Sequence, residues 1–203
     1  MDVVYATVPK LWPDSTVVCI GGGPSLTPED VDACRGRARV IAVNDAVRLA
    51  TWADALMASD EKWWRYHNGV PEFSGWKFSL QPGAARFGVQ VLKNTGQSGL
   101  ELSPWGLRSG WNSGAAAINL AVHFGAAKIL LLGYDMQRTP GKPSHWFGEH
   151  PAQIRATSPY ETFRAMFETM VEPLATLGVR VVNCSRATAL DCFPKAGLEE
   201  ALS

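Results

Sequence analysis

The chain has 203 residues, 46% of them hydrophobic and 19% charged. That suits one domain with a real core, since single domains commonly span about 50–250 residues. Lysine plus arginine and aspartate plus glutamate both total 19, so a zero net charge gives no bulk attraction to nucleic acid or an anionic membrane. The opening Met1-Asp2-Val3-Val4-Tyr5 lacks the regions of a secretory signal, and the apolar run Ile129–Leu132 is far too short to span a bilayer. A cytoplasmic protein without a membrane span is therefore expected, and nothing in the composition opposes a homo-oligomer. Cys19, Cys34, Cys184 and Cys192 form no CxxC pair and read as buried thiols of a reducing compartment.

Residues 16–20 read as a first strand running into Gly21-Gly22-Gly23-Pro24-Ser25. Thr27 reads as the N-cap of a helix over 28–34, with Pro28 at its first position and Glu29 and Asp30 in its first turn. Strand, glycine turn and helix start together predict an anion site, with a phosphate as the guest. A ligand-free tight turn fits the same residues.

A second strand, Arg39–Val43, ends in Asn44-Asp45, where a dinucleotide fold places its ribose-binding acid. A third, Ala55–Ala58, ends in Ser59-Asp60 ahead of a helix over Glu61–Tyr66. Trp63 and Trp64 read as packing in preference to stacking surfaces. Residues 67–110 are rich in Gly, Pro, Ser and aromatics and read as a loop-rich, lid-like insertion, with short strands at 76–80 and 89–92. Asn112-Ser113-Gly114 opens a helix closed by Gly125, in which His123 reads as structural. The apolar run Lys128–Leu132 has the character of a buried parallel strand and ends in Gly133-Tyr134-Asp135. A loop over 138–151 carries Arg138, Lys142, His145, Glu149 and His150.

A long helix starts at Ser158-Pro159. Its stripe of Phe163, Met166, Phe167, Met170, Val171, Leu174 and Leu177 should face the core, and Pro173 should kink or interrupt it. A last strand over 179–183 and a short C-terminal helix complete the chain. Alternating strands and helices predict α/β architecture: one doubly wound, Rossmann-like, mainly parallel sheet flanked by helices, in a single nucleotide-binding domain over 1–203. Four polar strand ends should share one sheet edge.

The segments GGGPSL, VNDA, NSGAAAINLAVHFGAAKILLLGYD, SHWFGEH and VVNCSRATALDCFP, in that order, resemble the bacterial lipooligosaccharide sialyltransferases. They are also similar to a related group with the archaeal-type 6-hydroxymethylpterin pyrophosphokinases and flagellin-glycosylation accessory proteins. Phage-encoded proteins share the pattern, which would place the chain in a host cytoplasm. The resemblance covers most of the chain outside 67–110. It implies a nucleotide or nucleotide-sugar donor of the CMP type, held by Gly21, Gly22, Gly23, Pro24 and Ser25 with Asn44 and Asp45 alongside. Asn112, Ser113 and Gly114 would meet the nucleotide at the second helix start. Gly133 and Asp135 would stand at the central strand end, and His150, or its neighbour His145, would be the base. Three departures stand out: Gly22 replaces an Asn, Asn112 replaces Thr or Ser, and Met136-Gln137-Arg138 replaces the tyrosines that support the leaving phosphate.

Glycosyl transfer needs a base for the acceptor hydroxyl, a task suited to histidine near neutral pH, and stabilisation of a departing phosphate. Helix-start N–H groups with Arg138 or Lys142 would serve the second need, with no metal. The alternative is a pterin-type pyrophosphokinase, in which Asp45, Asp60 and Asp135 converge on Mg²⁺. A nucleotide-binding protein without catalysis is the third reading. The acceptor is left open.

Overall fold

In the computed structural model, which describes residues 4–141, 143–154 and 157–203, the apolar strand-like runs all become parallel strands. In chain order these are β1 (Thr16–Ile20), β2 (Arg39–Val43), β3 (Ala55–Met57), β4 (Trp76–Ser79), β5 (Gln90–Val91), β8 (Lys128–Leu132) and β9 (Arg180–Asn183). They form one seven-stranded sheet in the order β5-β4-β3-β2-β1-β8-β9. A separate two-stranded pair, β6 (Lys93–Asn94) and β7 (Gly106–Leu107), lies beside it. Every recorded strand pair is parallel.

The sheet runs outward from β1 to β5 on one side, and the chain then returns to lay β8 and β9 on the other. β1 therefore pairs with β2 at Val18↔Val40 and with β8 at Val18↔Leu130. This reversal beside β1 is the topological switch point at which open α/β sheets place ligands, outside the carboxyl ends of the strands.

Side-chain alternation along the strands divides the core between the two faces of the sheet. Val17, Cys19, Ile41, Met57 and Phe78 pack with helices α3 (Ser113–Phe124) and α4 (Tyr160–Thr176). Val18, Ile20, Val40, Leu56 and Leu130 pack with α1 (Pro28–Ala33) and α2 (Glu61–Tyr66). The closing helix α5 (Leu198–Leu202) joins this second layer through Ala201. Almost every residue of α3 is buried, and its run of small side chains lets the helix backbone lie close to the sheet.

The local signals work as expected at several points. Thr27 caps α1 in a reciprocal capping box with Asp30, and left-handed Gly125 ends α3. All four cysteines are free, with Cys192 only partly buried. His123 bonds the Gly106 carbonyl at 2.8 Å, a structural role. Trp64 is fully buried and donates to the Ala58 carbonyl.

Other expectations need correction. The α4 stripe is narrower than its spacing implies: Phe167, Met170 and Leu174 are buried, but Val171 and Leu177 are 38% and 44% exposed. They fall at the edge and end of a helix that covers the sheet with one face only. Pro173 does not interrupt α4, which continues to Thr176. Residues 67–110 hold both expected short strands, as β4 and β5, and these extend the sheet, but the stretch is not placed as a lid. Among the described residues, none of that stretch lines the cleft at the switch point. No helix of the described residues is long and apolar enough to cross a membrane.

Candidate active site

The strand ends of β1, β2, β3 and β8 and the start of α3 surround one cleft of about 250 Å³. Of the residues singled out from the sequence, Gly21, Gly22, Gly23, Pro24, Asn44, Asp45, Asp60, Asn112, Ser113, Gly114, Gly133, Asp135, His145 and His150 line it, whereas Ser25 does not and Arg138, expected at the departing phosphate, lines a neighbouring cavity. Lys142 lies outside the described residues.

The glycine turn works differently from the expected phosphate cradle. Its N–H groups are largely engaged: Gly21 donates to Leu132 O (2.7 Å) and Gly23 to Gly133 O (2.8 Å). Ser25 gives its N–H to Asp135 Oδ2 (2.9 Å) and its hydroxyl to Oδ1 (2.7 Å). A Cβ at Gly23 would overlap the Asp135 carboxylate, and one at Gly21 would stand 2.7 Å from Gly133 O and 3.2 Å from the Tyr134 ring. Two of the three glycines therefore exist to let β1 close against the end of β8. Gly22 faces a histidine instead, with Nδ1 of His145 3.3 Å from its Cβ direction. The start of α1 is likewise engaged by its own capping box.

The start of α3, a helix of 12 residues, also opens on the cleft. First-turn N–H groups have no partner within a helix, and the helix dipole adds positive potential there. Asn112 accepts from Ala115 N–H (2.9 Å) and donates to Gly110 O (2.7 Å), so it serves as a cap, a role Thr or Ser can also fill. The Ser113 hydroxyl ties α3 to β3 by accepting from Ser59 N–H (3.0 Å). The Ser113 side chain is thus engaged within the protein, and Ser113 and Gly114 line the cleft at the helix start. Tyr134 underlies the assembly, fully buried, with its hydroxyl donating to Gly114 O (3.2 Å).

Asp45 is not oriented as a ribose ligand. Its carboxylate, 4% exposed, is the centre of a buried cluster. Trp63 Nε1 donates to Oδ2 (2.9 Å), His67 Nε2 stands 3.5 Å from Oδ1, and His150 Nδ1 stands 3.6 Å from Oδ2. Arg48 lies 4.0 Å from Oδ1. Sequence reading missed His67, although its spacing of four from Trp63 puts both on one helical face.

His145 and His150 are neighbours, with ring centroids 4.4 Å apart. Phe147 stacks on His145 at 5.0 Å. Both histidines also line a second chamber of about 230 Å³ with Arg138, Ser144, Glu149 and Tyr160. They thus stand between two cavities. Burial pushes the His145 imidazole below its ordinary 6.5, and His150 pushes it the same way, against a hydrogen bond with the Gly22 main chain. His145 is therefore neutral at pH 7. Burial raises the Asp135 carboxyl above its ordinary 3.8, opposed by the bonds from Ser25.

These shifts have a measurable consequence. Burial holds His67, His123 and His145 below 6.5, so each binds its proton more weakly folded than unfolded. Below about pH 6.5 the unfolded chain takes up more protons, so stability falls as the pH is lowered through that window. Asp135 acts with the opposite sign just above its ordinary 3.8. Melting temperature should drop between about pH 7.5 and about pH 5.5, and drop less in His145→Gln. Equal melting temperatures at the two pH values would contradict this.

Three of the six described non-glycine residues with positive φ lie at the same place. Asn44, Trp111 and Met136 have positive φ of 50°, 59° and 48°, and all three line the cleft. Such strain in side-chain-bearing residues concentrates at functional sites.

The expected Mg²⁺ set does not form. Asp135 is bonded by Ser25, Asp45 by Trp63, and Asp60 lies 3.4 Å from the Gln81 amide. Among the described residues no three His, Cys, Asp or Glu side chains converge as a metal site.

Fold and cleft define a doubly wound parallel α/β protein with a crevice at its switch point. Its fold is similar to that of a MAf glycosyltransferase from Magnetospirillum magneticum AMB-1, with a TM-score of 0.68 and 14% identity. That similarity covers 96% of this chain and 36% of the other, so this chain spans about a third of that protein's length. No family model and no curated protein matches the sequence.

Proposed function

We propose that the cleft binds a nucleotide sugar, with its phosphates at the start of α3, and that the protein transfers the sugar to an acceptor hydroxyl. The observation that carries this reading is the His145–His150 pair standing in the wall between two cavities. A binding protein needs one pocket, whereas a transferase must bring two substrates to one base. The fold similarity to a glycosyltransferase agrees with it. The resemblance to sialyltransferases makes a CMP-linked sugar the first donor to try.

In this reading His150 is the general base and Asp45 the positioning residue. Asp45 faces Nδ1 and so aligns the ring, and in this reading Nε2 takes the acceptor proton. The 3.6 Å separation is of the loose kind that tightens when substrate is bound. As the acceptor oxygen bonds to the anomeric carbon, the sugar–phosphate C–O bond breaks. Its electron pair leaves with the phosphate, whose charge the N–H groups at Ser113 and Gly114 face. Arg138 lines the second chamber and suits an acceptor carrying negative charge.

A thermal-shift panel of CMP, CDP, UDP, GDP and ATP with Mg²⁺ tests donor binding. A true ligand at about 100 times its Kd adds about 2.7 kcal/mol, or a rise of about 5–10 °C for a chain of this size. Stabilisation by ATP with Mg²⁺ but by no pyrimidine nucleotide would overturn the reading. Binding of a nucleotide with no release from CMP-, UDP- or GDP-sugars would leave a binding protein in its place.

A further inference from the structure

We infer that Trp111 is the stacking platform for the base of the nucleotide, an inference that rests on the reading of the cleft above. Trp111 is 61% exposed yet lines the cleft, one residue before the cap of α3. A ring left this open does little for the core, so packing does not account for it.

Its backbone is the second observation. Trp111 has φ of 59°, a left-handed conformation that glycine holds freely and a bulky residue does not. The turn that imposes it is pinned on both sides. Gly110 N–H donates to Gln97 O (3.0 Å), Asn112 N–H to Ser109 O (3.0 Å), and the Asn112 amide to Gly110 O (2.7 Å). The ring is thus presented at the cleft from a fixed support, with little ordering left to be done on binding.

The division of the nucleotide over the cleft follows from the other groups. The phosphates take the start of α3, and the histidines must reach the sugar that reacts. The base is the part left for an exposed aromatic face, and every base has a π-face that an indole can cover. Asp60 and Lys62 line the same cleft and offer one acceptor and one donor for a base edge.

The test uses Trp111→Gly, which removes the ring while suiting the left-handed backbone, and Trp111→Phe, which keeps a smaller ring. Binding of CMP, UMP, AMP and ribose 5-phosphate is measured by calorimetry on the full chain. Trp111→Gly should weaken the nucleotide that binds best by about 10-fold and Trp111→Phe by about 2–3-fold. Ribose 5-phosphate should bind all three proteins alike, and Trp111→Gly should melt no lower than the parent. Unchanged nucleotide affinity in Trp111→Gly would overturn the inference and leave the cleft reading standing. So would a parallel loss of ribose 5-phosphate, which would show that the residue only shapes the turn. Failure of the parent protein to bind any of the four would instead overturn the cleft reading, and the inference with it.

Discussion

Replacing His150 with alanine should lower sugar transfer, or donor hydrolysis, by about 10²–10⁴-fold while leaving donor affinity close to that of the parent. The expectation rests on where the ring stands. His150 borders both cavities, and its Nδ1 faces a buried carboxylate that aligns the ring. The phosphates are assigned to the start of α3, which the substitution does not touch. Asp45→Asn should give a smaller loss in kcat with little change in KM, because it removes the charge that aligns the ring and keeps the shape. His145→Ala separates the two histidines. If it costs more turnover than His150→Ala, the base is His145, which burial keeps neutral at pH 7. Loss of donor binding in His150→Ala would show a structural histidine instead.

Truncating Tyr134 to alanine should cost about 3–5 kcal/mol of stability, a large part of the roughly 5–15 kcal/mol that holds a typical domain. The ring is fully buried at the join of three elements. It lies against Gly21 at the end of β1, against Gly114 at the start of α3, and edge-on to Phe167 of α4 at 5.9 Å. Its main chain is held as well, the N–H by the Ser185 hydroxyl (2.8 Å) and the carbonyl by that of Thr188 (2.7 Å). Tyr134→Phe keeps the ring, removes the hydroxyl's bonds with Gly114 O and the Cys19 thiol, and should cost about 0.5–1.5 kcal/mol. Urea titrations of both variants measure the difference. If the alanine variant lost no more than the phenylalanine one, the ring would not be the wedge described here.

The strands of the sheet were legible because each is an apolar run bounded by turn residues, and Lys128–Leu132 has the pattern of a strand covered on both faces. The polar strand ends were legible for the same reason, since parallel strands present their carboxyl ends together. What each polar residue does there was less readable. Gly21 and Gly23 look like ligand-facing glycines in a linear motif. Their real neighbours, Tyr134 and Asp135, come from a strand more than a hundred residues away. Asp45 stands where a ribose acid is expected, but Trp63 on α2 and His67 just past its end lie against its carboxylate. β6 and β7 each hold 2 residues, too short for any periodicity to show.

The pairing of β1 with β8 also governs when the site comes into being. Ser25 and Asp135, which clasp across that seam, are 110 residues apart. During synthesis β1 can pair with β2 early, while its other edge stays open until Leu132 has left the ribosome. Such non-local parallel pairing is slow, and an open apolar edge is prone to aggregate in the meantime. The crevice is therefore among the last features to form. A nucleotide that fits it would act as a folding aid, favouring chains that have closed the seam over those still open along it.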